Sequence, residues 1–246
     1  FKKYGIRDHR GGGRASARET AVRVAGGAFA QLLLNEFKIE VLSGVLGIGK
    51  VVSDKVDFDF AKNSQIYALG NEEAMKEAVN KARSEHDSVG AVVLSVARGV
   101  PAGLGEPLYD RLDGALAAAL MGINGVKAVE IGAGVNVSSM LGSANNDEMD
   151  ELGFLSNNAG GILGGISSGA EIVLKSHFKP TPSIFKEQKT LNLAGEAVDF
   201  ELRGRHDPCI GIRGSVVATA MIRLVLADML LLNASTKLEN LKKIYG

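Results

Sequence analysis

The sequence has no tryptophan and a single cysteine, Cys209. One cysteine cannot form a disulfide within the chain, so nothing in the sequence points to an oxidising compartment. The first residues, FKKYGIRDHRGGG, also lack the apolar core that a secretion signal needs. We therefore expect a cytoplasmic protein.

A net charge is absent too, because 28 Lys and Arg residues balance 28 Asp and Glu residues. No global field then attracts nucleic acid or an anionic membrane, and any anion site must be local. The most apolar segment, 216–232, contains Arg223 and Asp228, whereas a membrane span needs about 20 largely uncharged residues. The sequence thus predicts neither a nucleic-acid partner nor a membrane span, and 216–232 is predicted to be a buried helix.

The only cysteine lies in the stretch GRHDPC, close to His206 and Asp207. Residues so near in sequence rarely form a nucleophile and its base by themselves. A metal site needs three or four ligands, and the other histidines stand in no ligand-spaced array. We predict no metal, a buried apolar Cys209, and a turn stiffened by Pro208 that presents Arg205, His206 and Asp207.

The 246 residues are enough for one large domain or two fused halves, and we predict a single domain over 1–246. Helical and Val/Ile-rich segments recur along the chain, which predicts a mixed α/β (α+β) class. Two helix N-caps are predicted, a capping box over 16–19 and Asn71. Helices are predicted over 20–37, 71–86, 107–121 and 215–232, strands over 39–52, 90–100, 126–131 and 171–178, and a hairpin over 190–202.

Glycine is abundant, with 31 residues, and it is clustered. In RGGGRASAR, at 10–18, glycines lead into a predicted helix N-terminus among three arginines, which suits a phosphate or carboxylate. An ordinary capped helix with its arginines in solvent explains that pattern equally well. The segment 156–169 is predicted to be a glycine-rich loop or broken helix, for which close packing is favoured over ligand binding.

The stretch KPTPS, at 179–183, directly follows a predicted strand. It places hydroxyl groups, a cation and stiff backbone at a sheet end, where ligands often bind. A rigid proline loop without a ligand is what these residues favour by themselves.

Taken together, these stretches resemble one family, chorismate synthase. The similar segments occur in the family's order along almost the whole chain: YGIRDHRGGGRASARETAVRVAGGAFA, GLGEPLYDRLD, INGVKAVEIGAG, GFLSNNAGGILGGISSG, HFKPTPSI and GRHDPCIGIRGSVVATAM. The resemblance implies an enzyme that converts 5-enolpyruvylshikimate 3-phosphate to chorismate and phosphate, the last common step of the shikimate pathway to the aromatic amino acids. The reaction is a 1,4-anti elimination that requires reduced FMN without a net redox change.

The resemblance also implies a fold and an assembly. The family fold is a β-α-β sandwich with helices layered between two sheets, and its members usually form homotetramers. The predicted apolar helices over 20–37, 107–121 and 215–232 suit such a central layer, although they suit other layered α/β folds as well.

Carried over motif by motif, the resemblance assigns roles to single residues. Asp207 would assist proton movement at the flavin, and Arg18 would bind the doubly anionic substrate. Gly125 stands where the family usually has Ala, and Ala15 and Pro182 where it often has Ser, so contacts at these positions would be made by backbone. The implied FMN contacts are Arg14, Ala15, Ser16, Asn124, Gly125, Gly164, Lys179, Pro180, Thr181, Pro182, Ser183 and Arg205.

Two family motifs, Gly-Glu-Ser-His-Gly and His-Ala-Asp, are not among the 246 residues. Their histidines are regarded as the family's acid and base, so the chain is interpreted as the C-terminal majority of the enzyme. We expect it to be inactive or impaired as written, because such groups contribute about 10² to 10⁴ in rate. The alternatives are a truncated FMN-binding fragment without catalytic activity and an ordinary flavin oxidoreductase. Some members reduce their own flavin with NADPH, but nothing here marks an added reductase domain, so externally reduced FMN is favoured.

Overall fold

Helices and strands alternate along the chain in the computed structural model, which describes residues 2–6, 8, 10, 12–202, 204 and 206–246. Short 3-10 turns cover Gly13–Ala15, Ala17–Glu19 and Gly134–Ser139. The α-helices are α1 (Thr20–Glu36), α2 (Phe58–Asn63), α3 (Glu72–Ser84), α4 (Leu112–Met121), α5 (Gly142–Asn145), α6 (Ile210–Asn233) and α7 (Leu238–Tyr245).

The strands form one five-stranded sheet and three two-stranded ribbons. They are β1 (Glu40–Ile48), β2 (Val51–Val52), β3 (Ala91–Arg98), β4 (Val126–Ile131), β5 (Met149–Asp150), β6 (Gly153–Phe154), β7 (Ile162–Leu163), β8 (Ile166–Ser167), β9 (Ile172–Phe178), β10 (Gln188–Leu191) and β11 (Ala197–Phe200). The five-stranded sheet has the order β2-β1-β3-β9-β4, and its neighbours are antiparallel. The ribbons pair β5 with β6, β7 with β8, and β10 with β11.

Three helices, α1, α4 and α6, cover one face of the sheet and enclose the main core. Leu34, Leu116 and Ile222, one from each helix, are fully buried together with Leu174 of β9. Burying a side chain of this kind contributes about 1.5–3 kcal/mol, so these contacts hold the helix layer to the sheet. The other face is covered in part by α2, whose Phe58 packs in a smaller cluster with residues of β1 and β3.

The long helix α6 is the centre of this layer, since it contacts α1, α4, β1, β3 and β9. By length and composition it could cross a membrane. Its inward residues, such as Ala218, Ile222 and Leu226, are instead fully buried in the core. The prediction of a buried helix at 216–232 is confirmed.

The predicted α/β class is confirmed, and most predicted elements are present with small shifts in their bounds. The strand over 126–131 has the predicted bounds, and the strand over 171–178 begins one residue later. The hairpin turns where expected, with Asn192 Oδ1 accepting hydrogen bonds from the backbone N–H groups of Ala194 and Glu196. The helices α2 and α7 were not predicted.

The helix α6 begins at Ile210, five residues before its predicted start at 215, and the short helix α5 was not predicted either. Two further element bounds were wrong where a residue has a positive φ. The helix predicted over 107–121 begins only at Leu112, because Asp110 has a φ of +54°, which an α-helix excludes. The strand predicted over 39–52 is split by a turn at Gly49, whose φ is +59°.

Both predicted caps are at helix starts but use other contacts. Ser16 Oγ accepts a hydrogen bond from the Arg18 N–H at 3.3 Å and caps a 3-10 turn that precedes α1. In a full capping box the Glu19 side chain would accept a hydrogen bond from the Ser16 N–H. Here Glu19 instead forms an ion pair with Arg23 at 2.9 Å. Asn71 makes no side-chain cap and instead donates to the Val52 carbonyl at 3.1 Å.

The described residues contain one of the two extended sheets that a β-α-β sandwich has. The helix layer covers this sheet, while the outward side of α1 is left open. There Val22, Phe29 and Leu32 are 64% to 75% exposed. This apolar stripe lies on the side of the layer where a second sheet would pack.

Candidate active site

The loops that carry the predicted cofactor contacts meet at one end of the five-stranded sheet. Phe178, the last residue of β9, is paired both with Val126 at the start of β4 and with Ala91 at the start of β3. The residues next to these three, Lys179, Gly125 and Gly90, therefore share one edge. The start of α6 lies over the same edge, since a Cβ added at Gly214 would come within 2.5 Å of the Phe178 ring.

The turn between α4 and β4 joins two of the predicted motifs. The Gly125 carbonyl accepts a hydrogen bond from the Lys179 N–H at 2.9 Å. Gly125 has a φ of +97°, which explains why this turn uses glycine. On its other side, Asn124 Nδ2 donates to the Ala15 carbonyl at 3.1 Å, across 109 residues of sequence. A second link runs from Arg23 of α1 to the Gly122 carbonyl at 2.9 Å.

The segment with Arg14, Ala15 and Ser16 differs from the predicted helix N-terminus. Two 3-10 turns come first, and the α-helix starts only at Thr20. Because Ser16 accepts from the backbone of the second turn, its hydroxyl serves as a local cap. Arg14 and Arg18 are both exposed, so their guanidinium groups are free to meet an anion brought to this edge.

The KPTPS loop is held by hydrogen bonds at its first residue, at its centre and just beyond its end. The Lys179 N–H binds Gly125, and the Phe185 N–H donates to the His86 carbonyl at 3.1 Å. At the centre, the Thr181 carbonyl accepts from Ser88 Oγ at 2.6 Å. Lys179, Pro180 and Pro182 are exposed, whereas Thr181 and Ser183 are half-buried.

The GRHDPC turn docks beside this loop. The Pro208 carbonyl accepts from the Val89 N–H at 2.8 Å. Asp207 Oδ1 accepts from the Cys209 N–H at 3.3 Å, and its other oxygen lies 3.5 Å from Arg213 Nε. With its side chain 34% exposed, Asp207 is within reach of a bound molecule. Arg205, a predicted FMN contact, lies outside the described residues.

Cys209 is fully buried, as predicted. Burial raises the pKa of its thiol to about 11, which keeps it protonated at neutral pH. A thiol in that state is neither a nucleophile nor a metal ligand. The prediction of an apolar role for Cys209 is confirmed.

Three polar atoms at this end of the sheet are buried without a hydrogen-bond partner among the described residues: Asn124 Oδ1, Thr181 Oγ1 and His206 Nε2. A buried polar atom left unpaired costs about 1–3 kcal/mol, so such atoms mark places where a polar ligand would bind. The amide orientation of Asn124 follows from its bond to Ala15, which leaves the oxygen free to accept. These three groups could pair with a polar ligand, and the exposed cations nearby could pair with an anionic one.

Among the predicted FMN contacts that the structure describes, Gly164 is the exception, because it lies away from the sheet end. It lies in the turn of the β7–β8 ribbon, where the neighbouring Gly165 carbonyl accepts from the N–H of Leu112, the first residue of α4. Asn124 lies three residues after Met121, the last residue of the same ten-residue helix. At about 1.5 Å per residue, α4 separates Gly164 from the other contacts by about 15 Å.

The glycine-rich segment 156–169 is mainly a packing feature, as predicted. Added Cβ atoms would lie 2.3 Å from Gly132 N at Gly160, 2.6 Å from Glu171 O at Gly161 and 2.5 Å from Glu106 O at Gly165. A Cβ at Gly164 would meet nothing within 4 Å. Gly164 is therefore open to a ligand, whereas its neighbours hold backbone against backbone.

Sequence reasoning missed the segment 86–90, which touches two of the candidate loops. It precedes β3 and carries Ser88 and Val89, the donors to Thr181 and Pro208. The available signal was its place between a predicted helix and a predicted strand at the sheet end. Another missed group, on β4 and β9, joins Glu130 to His177 at 2.7 Å and to Lys175 at 3.5 Å.

A cleft of about 410 Å³ lies elsewhere, between α1, β1 and α6. Its walls include Val24, Ala28 and Val216, and Arg223 reaches into it. Burial lowers the pKa of Arg223. None of the predicted site residues that the structure describes lines this cleft.

Fold and site together define an α/β protein in which four sequence-distant segments meet at one end of an antiparallel sheet. Comparison with known proteins gives the family. The family model described as chorismate synthase matches residues 1–231. Chorismate synthase of Campylobacter concisus is 98% identical over the whole chain, which covers 69% of that protein.

Other relatives agree. Chorismate synthase of Campylobacter jejuni is 60% identical over the whole chain, which covers 70% of that protein. A solved structure entitled "Crystal Structure of Chorismate Synthase" superposes with a TM-score of 0.76 at 32% identity, covering 93% of this chain and 68% of the other. The chain belongs to the chorismate synthase family. It is thus related to lyases of aromatic amino acid biosynthesis, and the resemblance stated from its motifs is confirmed.

Proposed function

We propose that the protein converts 5-enolpyruvylshikimate 3-phosphate to chorismate and phosphate by a 1,4-anti elimination, with reduced FMN bound at the sheet end. The observation that carries this proposal is a chain of contacts that joins the candidate segments. It runs from Ala15 to Asn124, from Gly125 to Lys179, from Thr181 to Ser88, and from Val89 to Pro208. Successive contacts begin close to where the previous one ends. Asn124 adjoins Gly125, Lys179 lies two residues before Thr181, and Ser88 adjoins Val89.

The cations at this edge suit a phosphorylated substrate and a phosphorylated cofactor. Arg14, Arg18 and Lys179 are exposed at the same end of the sheet. Elimination of phosphate builds negative charge on the leaving group, and fixed cations stabilise that charge as it develops. When bound, reduced FMN supplies the transient electron density that helps the phosphate leave. We assign substrate binding to Arg18 and cofactor binding to Arg14 and Lys179.

Asp207 is proposed to hold a proton at the flavin. Its Oδ1 is occupied by the Cys209 N–H, and Oδ2 faces Arg213 at a distance of 3.5 Å. These two contacts orient the carboxylate, and its partial exposure leaves room for a further partner. Asp207 therefore combines a structural contact at the start of α6 with the proposed chemical role.

The test uses anaerobic turnover with chemically reduced FMN. Phosphate release with no net consumption of reductant would support the lyase reaction. Consumption of one equivalent of reductant per turnover would instead support an ordinary flavin oxidoreductase and overturn the proposal. We favour externally reduced FMN over reduction by NADPH, which the same assay checks when NADPH replaces the chemical reductant.

A protein that binds FMN without turnover is the second candidate. The distinguishing result is a measurable FMN dissociation constant together with no phosphate release. Turnover by this 246-residue chain would exclude it.

The remaining proposals concern the surroundings of the enzyme. A homotetramer is proposed because members of the family usually assemble in that way. Light scattering coupled to size-exclusion chromatography measures that state directly. We propose a cytoplasmic protein with a small phosphorylated substrate and with neither a nucleic-acid nor a membrane partner.

A further inference from the structure

The segment 86–90 contacts the KPTPS loop at Thr181 and the residues just after that loop at Phe185 and Lys186. Ser88 Oγ donates to the Thr181 carbonyl at 2.6 Å. The His86 carbonyl accepts from the Phe185 N–H at 3.1 Å. Beyond it, Lys186 Nζ forms a 2.6 Å ion pair with Asp87. Three successive residues of one segment thus bind the middle of the loop and the residues just after it.

The same segment also holds the GRHDPC turn. The Val89 N–H donates to the Pro208 carbonyl at 2.8 Å. Phe185 packs between the two segments, with its ring 6.3 Å from the ring of His86 and 5.7 Å from the ring of His206. The two loops therefore share one support, although 22 residues, 184–205, lie between Ser183 and His206 in the sequence.

The backbone of this segment is shaped for that contact. His86 lies two residues after the last residue of α3. Its φ of +58° turns the chain towards the sheet end. A Cβ added at Gly90 would lie 2.8 Å from the Phe178 carbonyl oxygen and 3.4 Å from Pro180 Cδ. Only a residue without a side chain allows the loop to approach so closely.

We propose that Ser88 and Asp87 are positioning residues for the cofactor: they fix the KPTPS loop in the conformation that binds the flavin. This inference rests on the proposed function of the sheet end as a flavin site. Ser88 acts at the centre of the loop, where its hydroxyl donates to the Thr181 carbonyl. The Oγ1 of the same threonine has no hydrogen-bond partner among the described residues. Asp87 acts at the end of the loop through Lys186, and it also accepts from the Ser88 N–H at 2.8 Å.

Ser88→Ala is the variant that tests this role. Removing the hydroxyl leaves the Thr181 carbonyl unpaired and the loop less ordered. Flavin binding must then also order the loop, and this lowers the affinity for FMN. One hydrogen bond of this type corresponds to about a two- to tenfold change in an equilibrium constant, and we expect the FMN dissociation constant to rise by that factor. Ser88→Thr keeps the hydroxyl and should restore binding.

Ser84→Ala is the matched control. Ser84 is an exposed serine at the end of α3, and its hydroxyl also donates to a backbone carbonyl, that of Lys81, at 2.8 Å. It makes no described side-chain bond to either candidate loop. Its loss should affect stability to a similar small degree and leave the FMN dissociation constant unchanged.

The change in the fluorescence of oxidised FMN on binding measures the dissociation constants. Hydrogen exchange at residues 179–185, measured without flavin, is the second readout, and we expect it to be faster in Ser88→Ala. If Ser88→Ala does not fold, Asp87→Asn, which alters an exposed ion pair, replaces it with a smaller expected loss of affinity.

The outcomes separate the two proposals. If the unaltered chain does not bind FMN, the proposed flavin site and this inference both fail. If it binds, and Ser88→Ala binds equally well with unchanged exchange at 179–185, the positioning role is wrong while the flavin site stands. Weaker binding in Ser88→Ala, with normal binding in Ser88→Thr and Ser84→Ala, supports the positioning role.

Discussion

The contact between α1 and α6 offers a prediction with an internal control, because two adjacent glycines of α1 differ in their surroundings. A Cβ added at Gly27 would lie 2.5 Å from both Cα and Cβ of Ala220 and 2.9 Å from its carbonyl oxygen. A Cβ added at Gly26 would meet only the side chain of Leu224, at 3.6 Å. Gly27→Ala must therefore push the two helices apart, whereas Gly26→Ala need move nothing.

The magnitude follows from two opposing effects. Replacing Gly by Ala inside a helix stabilises by about 0.5–1 kcal/mol, and this gain is common to both variants. Overpacking against backbone costs about 1–3 kcal/mol and applies to Gly27→Ala alone. The difference between the variants is therefore the overpacking cost.

Thermal and urea denaturation measure that difference. For a chain of this size, 1 kcal/mol corresponds to about 2–4 °C, so Gly27→Ala should melt at least several degrees below Gly26→Ala. Equal stability of the two variants would show that α1 and α6 are not in backbone contact. It would also remove the support for the Ala15 to Asn124 link, since α1 carries the segment that makes it.

Three further predictions concern the sheet end. In a full-length version that also contains the two histidine motifs, Cys209→Ser should leave phosphate release nearly unchanged, because the buried thiol is protonated; a large loss would return Cys209 to the chemistry. In the same full-length version, Asp207→Asn keeps an oxygen for the Cys209 N–H but removes the charge. Phosphate release should then fall by about 10² or more with little change in melting temperature, and an unaffected rate would exclude the proton role. The hydrogen bond from Lys186 lowers the pKa of Asp87, so this pair stabilises the fold above the usual carboxyl pKa and is lost as the pH falls through the lowered one. In urea denaturation, the stability deficit of Asp87→Asn should therefore shrink between about pH 5 and pH 2, and a constant deficit would contradict the pairing.

Local patterns were sufficient for most of the helices and strands. The segment over 126–131 alternates and lies between turn residues, and its bounds were predicted correctly. The start of α4 was not, because Pro107 and the apolar residues after it also suit a helix. Asp110, with its positive φ, precedes the true start, and there the Leu112 N–H donates to the Gly165 carbonyl, a contact that no local signal contains.

The candidate site shows the same division. Motif resemblance alone indicated Asn124, Gly125 and the KPTPS loop, and it also indicated Gly164, which the fold puts at the other end of α4. The supporting residue Ser88 was missed. Its hydrogen bond to Thr181 joins positions 93 residues apart, and a serine between a helix and a strand has no local feature that reveals such a partner.

Composition, periodicity and short motifs were enough to predict the family, the α/β class and the buried Cys209, because these properties depend on local sequence. Which of the candidate residues meet depends on tertiary contacts. The antiparallel register brings Gly90, Gly125 and Lys179 to one edge, and pairing register is a property of strands that are distant in sequence. Close packing at glycines such as Gly27 and Gly90 then sets how near the helices and loops come to that edge.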